Sequence, residues 1–122
     1  MSTVLIIDDS KDNASLIEAS LSVSGYDILC AYTAEDGFDL AVAHHPDLIV
    51  TDLRLYGSSI DGWELIAHLR GQNVTRHTPI IATSVEVMPD DRQRALDAGC
   101  DIYFPKPFRI GELRAEINRM IG

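Results

Sequence analysis

Residues 47–52 read Asp-Leu-Ile-Val-Thr-Asp: three apolar side chains in a row, a threonine, then a carboxylate. A run this short, β-branched and continuously apolar fits a strand covered on both faces, as in a parallel sheet, rather than the alternating pattern of a half-exposed antiparallel strand. The strand proper is expected over Leu48–Thr51. Working outward, the same signal appears at Val4–Ile7, Ile28–Tyr32, Ile80–Thr83 and Ile102–Phe104.

The intervening segments carry helical spacing. Ala14, Ile17 and Leu21 form one stripe, with Ser10 or Asp12 available to cap its start and Gly25 to stop it. A second helix follows Thr33, places Phe38, Ala41 and Val42 on one face, and ends at His44-His45-Pro46. The third follows Asp61-Gly62, carries Leu65, Ile66 and Leu69, and stops at Gly71. The fourth has Pro89 near its first turn and Gly99 after its last. The fifth aligns Ile110, Leu113, Ile117 and Met120. Strand alternating with helix five times predicts a doubly wound α/β domain with helices on both faces of the sheet. The segment Leu55–Ile60, containing Gly57-Ser58-Ser59, reads as a loop.

In such sheets, ligands bind at the carboxyl ends of the strands. Here the first strand ends at Asp8-Asp9, the third at Asp52 and the fourth at Ser84, while the fifth runs into Lys106. Singly, each has an ordinary explanation: paired Asp residues after a strand often cap a helix, and a lone Ser or Lys at a strand end is usually solvated. All five are expected at one edge. Clustered carboxylates repel and raise one another's pKa, and a hard divalent cation such as Mg²⁺ relieves that repulsion while still binding phosphate. With Mg²⁺ and Lys106 to neutralise phosphoryl oxygens and Ser84 to donate a hydrogen bond, the edge suits a phosphoryl group. A carboxylate can itself be the nucleophile and form an aspartyl phosphate.

The segments VLIIDDSKDN, DLIVTDLRL, IDGWELIAHLR, TPIIATS and ALDAGCDIYFPKPF, together with the final helix, resemble in order and spacing the receiver domain of two-component response regulators. The resemblance spans essentially the whole chain, 1–122, as one receiver unit with no output domain after it. It implies the flavodoxin-like strand order 2-1-3-4-5, Asp52 as phosphoacceptor, and Mg²⁺ held by Asp9, Asp52 and the backbone carbonyl of Arg54, with Asp8 assisting through water. It further implies that Lys106 pairs with the phosphoryl group, that Ser84 is the switch hydroxyl and Tyr103 the coupled aromatic, and that Lys106-Pro107 is a cis peptide. Read from its strand alone, Tyr103 could equally be a core residue, although its neighbour Phe104 looks the better core filler. Trp63 reads as packing or a surface anchor, and the four histidines lack metal-ligand spacing.

The resemblance also places Arg54 and Glu86, two residues after the phosphoacceptor and the switch hydroxyl, beside the phosphoryl group. Their opposite charges could pair and shield the acyl phosphate from water, or both could point into solvent and contribute little. Three departures stand out. Tyr56 occupies a position where the family commonly has proline. Ser58-Ser59 lengthens the loop before Asp61. Val85 replaces a very small residue after the switch hydroxyl, where its branched side chain should crowd the approach to Asp52 and slow both phosphorylation and hydrolysis.

Nineteen acidic against ten basic residues give a formal charge of −9, which argues against a nucleic-acid partner. No run is long enough to span a membrane, and no targeting segment is evident. Cys30 and Cys100 form no CxxC pair and read as free thiols of a cytoplasmic protein. The expected partners are a sensor histidine kinase or phosphotransfer protein and an unidentified downstream protein, met through the face of the fourth helix, fifth strand and fifth helix in the manner of the family. A phosphorylation-independent interaction module on the same fold is the alternative; loss of Asp9, Asp52 or Lys106 would favour it, and all three are present. A phosphatase acting on external substrates ranks last, because no further general acid or substrate pocket is evident.

Overall fold

A computed structural model describes residues 2–85 and 88–122. Strands β1 (Thr3–Ile7), β2 (Asp27–Ala31), β3 (Leu48–Asp52), β4 (Ile80–Val85) and β5 (Ile102–Lys106) alternate with helices α1 (Lys11–Val23), α2 (Ala34–His44), α3 (Gly62–Arg70), α4 (Asp91–Ala98) and α5 (Ile110–Ile121). Every strand pairing is parallel, in the order β2-β1-β3-β4-β5. The chain leaves β1 for one side of the sheet and returns to the other side at β3, so the crevice of the switch point opens at the carboxyl ends of β1 and β3.

Successive strand residues face opposite layers. Val4 and Ile6 join Ile17, Leu21, Leu113 and Ile117 beneath α1 and α5. Leu5 and Ile7 join Ile49, Leu65, Ile66 and Leu69 on the other face. Continuous burial therefore holds for the central strands, whereas β2 and β5 are edges and are covered less completely. Pro105 lies within β5, where an edge strand tolerates its missing N–H. This period of two also reverses the expectation for Tyr103 and Phe104. Tyr103 is buried in the layer containing Trp63 and Leu65, while Phe104 is half-buried and meets Phe108 edge-on at 5.5 Å. Trp63 packs inside, not as a surface anchor.

Side chains set the helix starts. Ser10 Oγ, not Asp12, accepts the Asn13 N–H at 3.2 Å, and Thr33 Oγ1 accepts the Asp36 N–H at 3.1 Å. Asp61 Oδ1 accepts the Glu64 N–H at 2.9 Å, with Glu64 answering at the Asp61 N–H in a capping box. Pro89 stands near the first turn of α4 as expected, just before its N-cap Asp90: Asp91 accepts the Met88 N–H at 3.1 Å and closes a turn around the proline, and the helix begins after it. Gly99 ends α4 at φ +119°, a conformation that favours glycine. Cys30 and Cys100 are free thiols, each pushed up to about 11 first by burial and then by the carboxylates of Glu18 and Asp101 respectively.

A close approach of backbones lies beneath the candidate site. A Cβ on Gly62 would come within 2.4 Å of the Asp52 carbonyl oxygen and 2.5 Å of Leu53 Cα, while the Gly62 N–H donates to the Leu53 carbonyl at 2.8 Å. The start of α3 is thus seated directly on the end of β3. Gly62→Ala should cost about 1–3 kcal/mol, the usual range for forced overpacking, read as a lower urea midpoint. An unchanged midpoint would show that α3 can back away from the strand without penalty.

Candidate functional site: an acidic cluster at the carboxyl ends of β1 and β3

Asp8 follows β1 directly, and its N–H donates to the Ala31 carbonyl at 3.0 Å. The side chain turns back to accept the Ser10 N–H at 2.9 Å, which fixes the carboxylate while Ser10 caps α1. Asp52 is the last residue of β3. One of its oxygens accepts the Arg54 N–H at 3.3 Å and the other the Lys106 ammonium at 2.8 Å. The same ammonium lies 3.9 Å from Asp8 Oδ2. Asp9 is half-buried beside them, and one oxygen from each of Asp8, Asp9 and Asp52 falls within 4.8 Å of the others. Three oxygen donors at this spacing suit a hard divalent cation.

Burial pushes the Asp8 carboxyl above its ordinary range. The Ser10 N–H and Lys106 pull it back, and the charges of Asp52 and Asp9 raise it again.

The remaining predicted residues fall around this cluster with different freedoms. Ser84 is fully buried, and its hydroxyl donates to the Val85 carbonyl at 3.1 Å. Val85 stands 58% exposed at the rim and lines, with Asp8, Leu16, Lys106 and Phe108, a cleft of about 400 Å³. Lys106-Pro107 is cis. The loop between β3 and α3 is tied down rather than loose. The Ala34 N–H donates to Ser58 Oγ at 2.8 Å, and Ser59 donates to Glu35 through its N–H at 2.8 Å and its hydroxyl at 2.6 Å. Tyr56 is exposed.

The expected pairing of Arg54 with Glu86 lies outside the described residues, because Glu86 is not among them. The Arg54 guanidinium, 35% exposed in its side chain, has a different partner. It bonds Asp91 Oδ2 at 3.3 Å and lies 5.1 Å from the centre of the Trp63 ring. Asp91 was missed because it stands 37 residues further on, and only the packing of α4 against α3 brings it near. Its one local signal is a carboxylate three residues after Met88, at a helix start.

The family model for the response regulator receiver domain matches residues 4–118. The chain belongs to that family. This receiver domain is 31% identical over 120 residues to the polar-differentiation response regulator DivK of Brucella ovis, covering 98% of this chain and 96% of the relative. Among solved structures it is similar to the chemotaxis response regulator CheY4 of Vibrio cholerae, with a TM-score of 0.90, 25% identity and 99% of both chains covered. It is likewise similar to the receiver domain of the sensor histidine kinase PA1611 of Pseudomonas aeruginosa, with a TM-score of 0.88 and 31% identity over 99% of this chain and 98% of that one. That structure holds a magnesium ion coordinated in its active-site cleft.

Because the Asp8 carboxyl titrates above its ordinary value of 3.8 in the folded protein, the folded state holds that proton more readily than the unfolded one. The corresponding stability is fully present below the unfolded pKa and is lost as pH rises through the folded pKa. At neutral pH an ionised Asp8 therefore weighs against the metal-free fold. Asp8→Asn, which retains an acceptor for the Ser10 N–H, should raise the chelator-treated melting temperature at pH 7. The gain should shrink towards zero in the acid range below the ordinary Asp pKa. An equal gain at both pH values would assign the effect to packing instead of charge.

Proposed function

We propose that this receiver domain is a phosphorylation-controlled switch that accepts a phosphoryl group on Asp52 from a phosphohistidine of a sensor kinase or phosphotransfer protein. The contact between Lys106 Nζ and Asp52, 2.8 Å within a cluster of three carboxylates, carries the reading. It joins a nucleophilic oxygen to a mobile cation that can follow the incoming phosphoryl oxygens. In the transfer, an Asp52 oxygen forms a bond to phosphorus as the phosphorus–nitrogen bond of the donor breaks. The imidazole leaves with the bond's electron pair and takes a proton from solvent, leaving an acyl phosphate.

Asp9, Asp52 and the Arg54 carbonyl would hold Mg²⁺, with Asp8 acting through water. The all-oxygen donor set fits this hard ion, and the ion, when bound, neutralises charge on the phosphoryl oxygens. The magnesium in the PA1611 receiver supports the assignment. Ser84 begins on the Val85 carbonyl and would exchange that acceptor for a phosphoryl oxygen, with Tyr103 on the next strand as the coupled aromatic. Arg54 and Val85 flank the entrance and would tune the lifetime of the acyl phosphate.

The only chemistry proposed is self-phosphorylation and dephosphorylation. Output follows by protein contact or onward transfer. A cytoplasmic location is supported by the free thiols and by the absence, among the described residues, of any helix long and apolar enough to cross a membrane.

Incubation with Mg²⁺ and a small acyl-phosphate donor should add one phosphoryl group to the intact mass, and chelation should prevent it. Asp52→Asn should abolish the addition, and persistence in that variant would remove Asp52 from the role. Val85→Ala should speed phosphorylation about threefold or more, the scale of a barrier change of less than 1 kcal/mol. An unchanged rate would mean that the rim side chain does not crowd the approach.

A further inference from the structure

Asp91 opens α4 with its side chain almost wholly buried. An acidic residue in the first turn of a helix is favoured by the helix dipole, but an exposed one serves that purpose. A buried carboxylate is costly unless it is paired and hydrogen-bonded. Here one oxygen, Oδ2, accepts both the Arg54 guanidinium at 3.3 Å and the Met88 N–H at 3.1 Å. Arg54 belongs to the loop that leaves β3 just after Asp52. Met88 belongs to the connection from β4, which carries Ser84 and ends at Val85, to α4. A single buried oxygen thus joins the two loops that border the acidic cluster.

The Arg54 end of this link is braced. Its guanidinium lies over the Trp63 ring at 5.1 Å. The same ring carries Arg94 at 4.1 Å, which in turn approaches Asp61 at 3.8 Å, the N-cap of α3. The backbone of Arg54 is also the segment whose N–H reaches Asp52 Oδ1, at a long 3.3 Å. Leu53, one residue before, is held independently by its N–H to the Thr83 carbonyl at 3.0 Å and by its carbonyl to Gly62. The orientation of residue 54 beyond that point depends on where its side chain is tethered.

We propose that Asp91 is a positioning residue of the phosphoryl site, clamping the loop after β3 to the loop after β4 so that the backbone of Arg54 is held against Asp52. The proposal rests on the reading of this cluster as a Mg²⁺ and phosphoryl site. The clamp keeps the Arg54 N–H on the phosphoacceptor and presents its carbonyl to the metal, although Asp91 itself touches neither.

Two substitutions separate positioning from charge. Arg54→Gln removes a positive charge near the cluster, and Asp91→Asn removes a negative one. On charge alone the first should tighten Mg²⁺ binding and the second should weaken it. The clamp requires both to weaken it. Calorimetric titration with Mg²⁺ alone should show about threefold to tenfold weaker binding in each variant, the scale of losing one ordinary hydrogen bond at a residue that does not itself touch the ion. The double variant should be no weaker than the worse single one. Arg54→Gln binding as tightly as wild type, or more tightly, would overturn the clamp. Wild type binding no Mg²⁺ would instead overturn the proposed function. A metal-free readout keeps the two apart: amide exchange at positions 54 and 88 should speed up about tenfold in both variants, and unchanged exchange there would overturn the clamp whatever Mg²⁺ does. Coincident thermal melts check that each variant remains folded, and Arg54, 35% exposed in its side chain, is the substitution least able to unfold the domain.

Discussion

Lys106 stands 2.8 Å from one aspartate and 3.9 Å from another, and these two contacts are what permit three carboxylates to crowd the end of a parallel sheet. At such spacing, like charges in a partly desolvated crevice raise one another's proton affinity, and the Asp8 carboxyl is displaced upwards in this way on top of its burial. One ammonium does not balance three acids. The metal-free protein therefore holds a negative centre that one ammonium only partly offsets, and in the proposed function that same excess of charge would draw in the divalent cation.

Everything near the cluster serves to keep it from relaxing. β1 and β3 lie side by side in register from Val4 opposite Leu48 to Ile7 opposite Thr51, so their carboxyl ends cannot slide apart. Gly62 lets α3 sit directly on the end of β3. The Ser10 N–H holds Asp8 while the Ser10 hydroxyl caps α1. Ser58 and Ser59 fasten the loop between β3 and α3 to the first turn of α2. A segment that reads as a loop in the sequence is thus a strap in the fold. It satisfies an N–H at the start of α2 that would otherwise lack an intrahelical partner.

On the other side of the cluster, α4 carries a feature that local reasoning does not reach. The helix begins after Pro89, where Asp91 closes the preceding turn. Its buried carboxylate takes the guanidinium of Arg54, for which the sequence offered Glu86 as the partner. Asp91 is buried at the start of α4, which strengthens its pairing and makes it a structural tie.

Elements and chemistry were legible in the sequence because both rest on short-range rules. Continuous apolar runs ending in acid, hydroxyl or lysine mark the strand ends, and Ser10, Thr33, Asp61 and Gly99 punctuate the helices as their side-chain chemistry requires. The parallel sheet and its crossovers then carry Asp8, Asp9, Asp52, Ser84 and Lys106 to one edge. What only the tertiary structure decided were choices between neighbours of similar character. Tyr103 rather than Phe104 enters the layer beneath α3, because the register of β5 against β4 sets which residue faces that way. Asp91 holds Arg54, because two helices 20 residues apart pack together. Strand pattern and capping are properties of a few consecutive residues, whereas facing and pairing depend on what the rest of the chain brings alongside.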